Sequence, residues 1–372
     1  MGHAYTPGLT VSAATVVHRR RILPLHGQVV VKEGDRVEAD TVVARTDLPG
    51  KVHSRNVAAD LGLPPSDLKP TLQKTVGSAV KKGDIVAEHK SFFGVFKAQS
   101  LAPIDGTLES VSAVTGQAIY REAPVPVEVT AYVRGAVREV IPSEGVVVEA
   151  RGALVQGIFG VGGESHGAVT VAVPGPDVVF EPSLVRAEHR GKIVIGGKIA
   201  SLAAIHEAAK AKIHALVVGG LNDDDLRALL GYDLGVAITG QEAIGLTLIV
   251  TEGFGPVEMA RRTFELLGGF EGRDASVNGA TQIRAGVIRP EIIIPHDAVA
   301  ETHGRGEGGL MQVGSLLRVI REPHFGLIGT VAGLPAELVR IETEAKVRVV
   351  EVQLRDGRRI VLPRANVELI ED

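Results

Sequence analysis

A chain of 372 residues that is 45% hydrophobic can bury a sizeable core, and it is too long for one ordinary domain; roughly two to four are expected. The net charge of −4 gives no general attraction to nucleic acid or to an anionic membrane, so any such partner must be bound locally. Cysteine and tryptophan are absent and aromatic residues make up 3%, which excludes disulfides, thiolate nucleophiles and cysteine-based metal sites and leaves few platforms for stacking bases or sugars.

At the N-terminus the basic run His18-Arg19-Arg20-Arg21 follows a mildly apolar stretch, the reverse of the order in a secretory signal. No apolar run of about 18 residues is present to cross a membrane. A cytoplasmic protein without membrane insertion is expected. From Leu25 to about Val140 the sequence consists of short β-branched runs punctuated by glycine, an all-β pattern, and residues 1–140 are expected to form one β-rich domain. Val31 to Val37 reads VKEGDRV and Val80 to Val86 reads VKKGDIV. In both, Gly-Asp supplies the residues that tolerate a tight turn between inward-facing valines, so two equivalent hairpins of one barrel are expected. Between the copies, residues 56–73 read as a short helical insertion.

With these two copies and Ala102-Pro103-Ile104-Asp105-Gly106-Thr107-Leu108, this region resembles the barrel-sandwich hybrid domains of biotinyl and lipoyl carriers and of the Rnf redox complex. The resemblance implies a fold and no particular function. In a carrier, the modified lysine would sit at a hairpin tip. The nearest candidate, Lys97 in GVFKAQS, lacks the methionines that flank a biotinyl lysine and reads as a solvated lysine.

Residues 141–190 read as a β-rich connector. Its glycine-rich GIFGVGGESHG is followed by a strand and not by a helix, so it reads as a hairpin turn more than as a phosphate loop, with Glu164 and His166 kept as groups that could reach a substrate. From 191 to 300 strand and helix patterns alternate. GKIVIGG, HALVVGG, LTLIVTEGFG and RPEIIIP are continuous apolar runs, as in parallel strands covered on both faces, and a small parallel α/β domain with right-handed crossovers is expected. Asn222 or Asp223 is read as a helix N-cap, and Pro256 as lying in the first turn of the last helix. Such sheets bind ligands at the carboxyl ends of their strands. That places a small-anion site at Gly196, Gly197, Gly219, Gly220, Thr251, Glu252, Gly253 and Gly255, with Arg284 and Arg289 as a clamp. Strand-end glycines are equally ordinary turn formers. His296, Asp297, Glu301 and His303 lack the i, i+4 histidine pair of a helical zinc motif, so no metal and no cofactor is expected.

A glycine-rich linker, 301–314, precedes a last domain, 315–372. Arg318-Val319-Ile320, Pro323, Phe325, Gly326, Gly329 and Val331 are similar to the pattern of KOW modules, the SH3-like barrels of transcription elongation factor NusG and several ribosomal proteins. Asp356-Gly357 reads as a type I′ hairpin. The resemblance implies docking of RNA or protein through Arg321, His324, Phe325, Arg358 and Arg359. From Ser315 to Asp372 there are nine Lys/Arg and nine Asp/Glu, a zero balance that favours a protein over phosphate contacts. The chain therefore reads as a multi-domain α+β protein with a barrel-sandwich domain, a small parallel α/β domain and a KOW-like barrel. The leading function is a non-catalytic adaptor that docks a protein or ribonucleoprotein, with no DNA sequence recognition. The alternatives are an enzyme or sensor of a small anionic ligand and, more weakly, an accessory of a redox complex.

Overall fold

The computed structural model describes residues 9–91, 96–231, 242–281, 288–297, 311–321, 323–324, 326–340, 346–354 and 356–369. The apolar runs form strands, and eleven of them join in one mixed sheet. Strands Glu164–Val171, Ile193–Ile195, Ala215–Leu221 and Thr247–Phe254 lie parallel and in chain order across it. Phe159–Val161 closes the far edge, antiparallel to Thr247–Phe254. The run RPEIIIP corrects the expectation of a fourth parallel strand, because Glu291–Pro295 is antiparallel to both its neighbours, Asp274–Asn278 and Gly145–Gln156. A continuous apolar run reports burial on two faces and carries no information on strand direction.

Only Gly162 and Gly163 separate Phe159–Val161 from Glu164–Val171, yet three strands lie between these two in the sheet order. Three extended peptide steps reach about 10 Å, whereas four strand spacings of a flat sheet span about 19 Å. The sheet therefore curls back on itself. Val155, Val169, Ile195, Val217, Ile249, Val277 and Ile294 accordingly meet in one core on the concave side, with Leu267 of helix Arg261–Gly268. The alternate residues Val194, Leu216, Val218, Leu248 and Val250 face outward beneath helices Leu202–Lys210 and Asp223–Leu230. Ser201 caps the first of these, accepting the Ala204 amide, and Asn222 stands at the N-cap of the second. The last helix starts at Arg261, beyond Pro256, because Gly255 to Met259 runs along Gly219 and Gly220 instead of coiling.

The two Val-Lys-x-Gly-Asp-x-Val copies build the same turn. Gly34 and Gly83 each sit at φ +87°, and the aspartate amide donates to the lysine carbonyl at 3.1 Å and 2.9 Å. The aspartate carboxylate in turn accepts the lysine amide at 2.8 Å and 3.2 Å. The flanking strands, however, do not pair with each other. Gln28–Val29 joins Val42–Leu48 while Arg36–Val37 joins Gly135–Ile141; Ala79–Val80 joins Gly106–Val111 while Ile85–Ser91 joins Phe96–Leu101. Val37 enters one core, and Val80 and Val86 another. The single-barrel expectation is thus corrected to equivalent turns in two cores. A ribbon links the cores: Val42–Leu48 pairs with Val125–Thr130, and Val52–Asn56 with Gln117–Arg121. Residues 52–121 are nested inside the fold that begins before them and resumes after. Within them, helix Val57–Leu61 is capped by Asn56 and ended by left-handed Gly62.

Val11–Ile22 and Gly135–Ile141 both pair with Gly145–Gln156, so the large sheet takes in strands from both ends of the β-rich N-terminal region. Its basic run is used internally: Arg19 pairs with Glu291, and Arg21 with Glu164. The C-terminal residues form a separate six-stranded sheet around Leu317, Val319, Val331, Val350, Val352 and Val367. The connection after Lys346–Leu354 has four residues, with Gly357 at φ +86°, and so is longer than a type I′ turn. Among the described residues, no helix is long and apolar enough to cross a membrane.

Candidate functional site

At the carboxyl edge of the parallel strands, the expected anion site is filled by the chain itself. The amides of Gly196, Gly219, Gly220 and Gly255 donate to the carbonyls of Val217, Gly197, Lys198 and Leu221. Committed in this way, they cannot converge on a ligand. The missing side chains serve close packing. A Cβ on Gly219 would strike the Met259 nitrogen and come within 2.6 Å of the Val257 oxygen; one on Gly197, at φ +70°, would lie 2.6 Å from the Val178 oxygen. A Cβ on Gly253 would lie 2.6 Å from the Gly326 oxygen and 3.1 Å from Ile328, both in the C-terminal unit.

That unit is fastened to the edge by a buried ionic cluster. Arg318 is 3% exposed. It donates from Nη1 to the carbonyls of Thr251 (2.8 Å) and Glu252 (2.6 Å), and from Nε to Glu368 Oε1 (2.7 Å). Glu368 is fully buried, and Arg289 forks onto it at 3.0 Å and 3.4 Å. The Glu252 carboxylate accepts the Ala260 amide and lies 3.8 Å from Arg318. Arg289 therefore clamps a carboxylate that belongs to this chain. Arg284 lies outside the described residues.

Of the expected partner contacts, Phe325 lies outside the described residues. The loop carrying Arg321 and His324 ends at Gly326, whose carbonyl accepts the Phe254 amide at 3.1 Å, so this end of the unit is turned toward the large sheet. Arg358 and Arg359 are exposed; Arg358 donates to Asp356 at 2.7 Å and Arg359 to Gln353 at 2.7 Å. The Arg358 backbone amide, and then its side chain, hold the Asp356 carboxyl below its ordinary range. This pairing offsets part of the charge a phosphate would need.

The opposite, amino edge carries a cleft of about 440 Å³. The curl of the sheet creates it, bringing the starts of Glu164–Val171, Ala215–Leu221 and Thr247–Phe254 together. Glu164 and His166 line it, joined by Ser165, Lys212, His214 and Thr247, which have no distinguishing pattern in the sequence. His214 Nδ1 lies 2.6 Å from the His166 carbonyl. A carbonyl only accepts, so Nδ1 carries the proton and Nε2 is left for other contacts. Ser165 Oγ lies 3.0 Å from Thr247 Oγ1 and donates to the His214 carbonyl at 3.2 Å. Arg21 forks onto Glu164 at 2.7 Å and 2.8 Å, which neutralises the one acid that lines the cleft among the described residues.

Lys97 lies within strand Phe96–Leu101, opposite Lys90, and pairs with Glu88 at 2.7 Å. Hydrogen bonds from Lys97 and then Gln99 lower the Glu88 carboxyl from 4.5 to about 2. A depressed carboxylate stabilises the hairpin fully above its ordinary value and loses that contribution as pH falls through about 2. Lys97→Met is expected to raise the Glu88 midpoint toward 4.5, read by carboxyl carbon NMR. His296 bonds the Ala13 carbonyl at 2.7 Å and stacks on Phe270, while Glu301 and His303 lie outside the described residues. Among the described residues, no group of three or more acids and histidines is placed to hold a metal. No protein-family model and no curated protein matches this chain.

Proposed function

We propose that this chain is a non-catalytic cytoplasmic adaptor that docks a protein partner through its C-terminal unit, the part that resembles a KOW module. One observation carries the reading. Strand Leu338–Arg340 ends its sheet with all three residues exposed, Leu338 at 57% and Val339 at 38%, and Val361, on another strand paired with Lys346–Leu354, is 58% exposed. An edge strand with exposed apolar side chains is a template for adding an extended segment of another chain: backbone hydrogen bonds provide affinity and alternate side chains provide selectivity. The buried cluster at Arg318 favours a unit held at a fixed orientation, which lowers the entropy lost on docking. The zero charge balance of residues 315–372 and the pairing of Arg358 with Asp356 favour a protein over RNA.

The test is affinity capture from a native lysate with and without nuclease, using wild type, Leu338→Asp/Val339→Asp and Arg358→Ala/Arg359→Ala. A nuclease-resistant partner is expected that the edge-strand variant loses, at a cost of about 2 kcal/mol or more, and that the arginine variant keeps. Capture that nuclease abolishes, with a steep salt dependence relieved by the arginine variant, would replace this reading with RNA binding.

A further inference from the structure

Lys212 occupies the residue just past helix Leu202–Lys210 and its cap Ala211, at φ +60°. The Ile213 amide reaches back to the Ala208 carbonyl at 3.1 Å and the Lys212 amide to Ala209 at 3.1 Å, the bonding of a Schellman ending. Glycine is the preferred residue there, because a left-handed conformation brings Cβ against the carbonyl of any other residue. Helix Asp223–Leu230 does end on such a glycine, Gly231 at φ +80°. A lysine in this place works against the local backbone, and departures of that kind concentrate where a side chain serves a ligand.

Its surroundings indicate which ligand. Lys212 is exposed at the rim of the amino-edge cleft and has no carboxylate partner among the described residues. His166 and His214 line the same cleft, ring centroids 6.4 Å apart, with His214 oriented by its bond to the His166 carbonyl. Glu164 is already occupied by Arg21. Ile213, Ile244 and Leu246 give the cleft an apolar side. The Lys212 ammonium supplies three N–H donors, and His166 and His214 add a donor from Nε2 in their imidazolium forms, a set that suits a group with three or more acceptor oxygens better than a two-oxygen carboxylate. The volume of about 440 Å³ exceeds that of a lone oxyanion and suits an attached organic moiety.

We propose that this cleft binds the phosphate group of a small organic phosphate, with Lys212, His166 and His214 around the oxygens. The site is independent of the docking strand at Leu338–Arg340, so either reading can fail alone.

Inorganic phosphate is the probe, titrated at fixed pH into the full chain with labelled histidine and followed by imidazole NMR. Saturable shifts of the His166 and His214 ring protons are expected, with a Kd on the order of millimolar for so open a subsite. Lys212→Gly is expected to weaken binding about tenfold or more while the thermal midpoint holds or rises by roughly 1–3 °C, since glycine fits the left-handed position. Acetate at equal concentration is expected to shift the same protons only weakly. The proposal is overturned if neither histidine shifts saturably below roughly 50 mM phosphate, some tenfold above the expected range. Unchanged affinity in Lys212→Gly, or equal binding of acetate, overturns it as well.

Discussion

Arg318→Met is expected to destabilise the folded chain by about 3–5 kcal/mol, the usual result of removing one partner from a buried ion pair. The loss follows from what is left behind. Glu368 is fully buried and, among the described residues, would keep only Arg289, which is half-buried and reaches it at 3.0 Å and 3.4 Å. The carbonyls of Thr251 and Glu252 would each lose a donor inside the interface. Leaving such groups unsatisfied costs about 1–3 kcal/mol apiece before any relaxation. The C-terminal unit should then loosen, and proteolysis should cut near its junction at lower protease concentration. Denaturant unfolding measures the loss. Arg318→Met/Glu368→Leu should recover most of it, because an apolar replacement of both partners leaves no uncompensated buried charge. A single variant that loses less than about 1 kcal/mol would show that water reaches the cluster and that the unit is held by apolar contact alone.

The sequence carried information about residues in proportion to how local their determinants are. The two Gly-Asp turns could be read because an i to i+3 hydrogen bond and a glycine at φ +87° are specified within a few residues. Their assignment to one barrel failed because the partners of the flanking strands lie far along the chain, at Gly135–Ile141 and Gly106–Val111. The apolar run of Glu291–Pro295 announced burial on both faces and was silent on direction. Arg289 was expected, with Arg284, to clamp a small anion; it pairs instead with the chain's own Glu368, seventy-nine residues on. Nothing near Arg289 in sequence marks that partner. Lys212, His214 and Thr247 escaped notice for a related reason. The cleft they share with His166 exists only because the sheet curls, and the curl becomes apparent only once the strand order shows that two glycines must join edge strand Phe159–Val161 to Glu164–Val171, four strand spacings away.

The strand-end glycines admit a decisive experiment, because the ligand and packing readings predict opposite outcomes for Gly219→Ala. If Gly219 lined an open anion site, a methyl group there would leave folding intact and weaken binding only. The structure predicts the reverse. The new Cβ would strike the Met259 backbone nitrogen and lie 2.6 Å from the Val257 oxygen, and neither can swing aside as a side-chain tip could. Gly219 also donates to the Gly197 carbonyl at 2.7 Å, so shifting its strand would stretch that bond and the next, from Gly220 to Lys198. Overpacking of this kind costs about 1–3 kcal/mol, and the upper end is expected because both obstacles are backbone. Gly163→Ala is the contrasting control. Gly163 sits at φ +76° with nothing within 4 Å of its Cβ position, so its replacement carries only the left-handed penalty of about 1–2 kcal/mol. Denaturant midpoints rank the two. Gly219→Ala should unfold first, with near-ultraviolet dichroism and proteolysis showing the 255–259 segment displaced, since that segment lies against the glycine. A Gly219→Ala protein as stable as wild type would mean that the strand end is open, and would return the carboxyl edge to consideration as a ligand site.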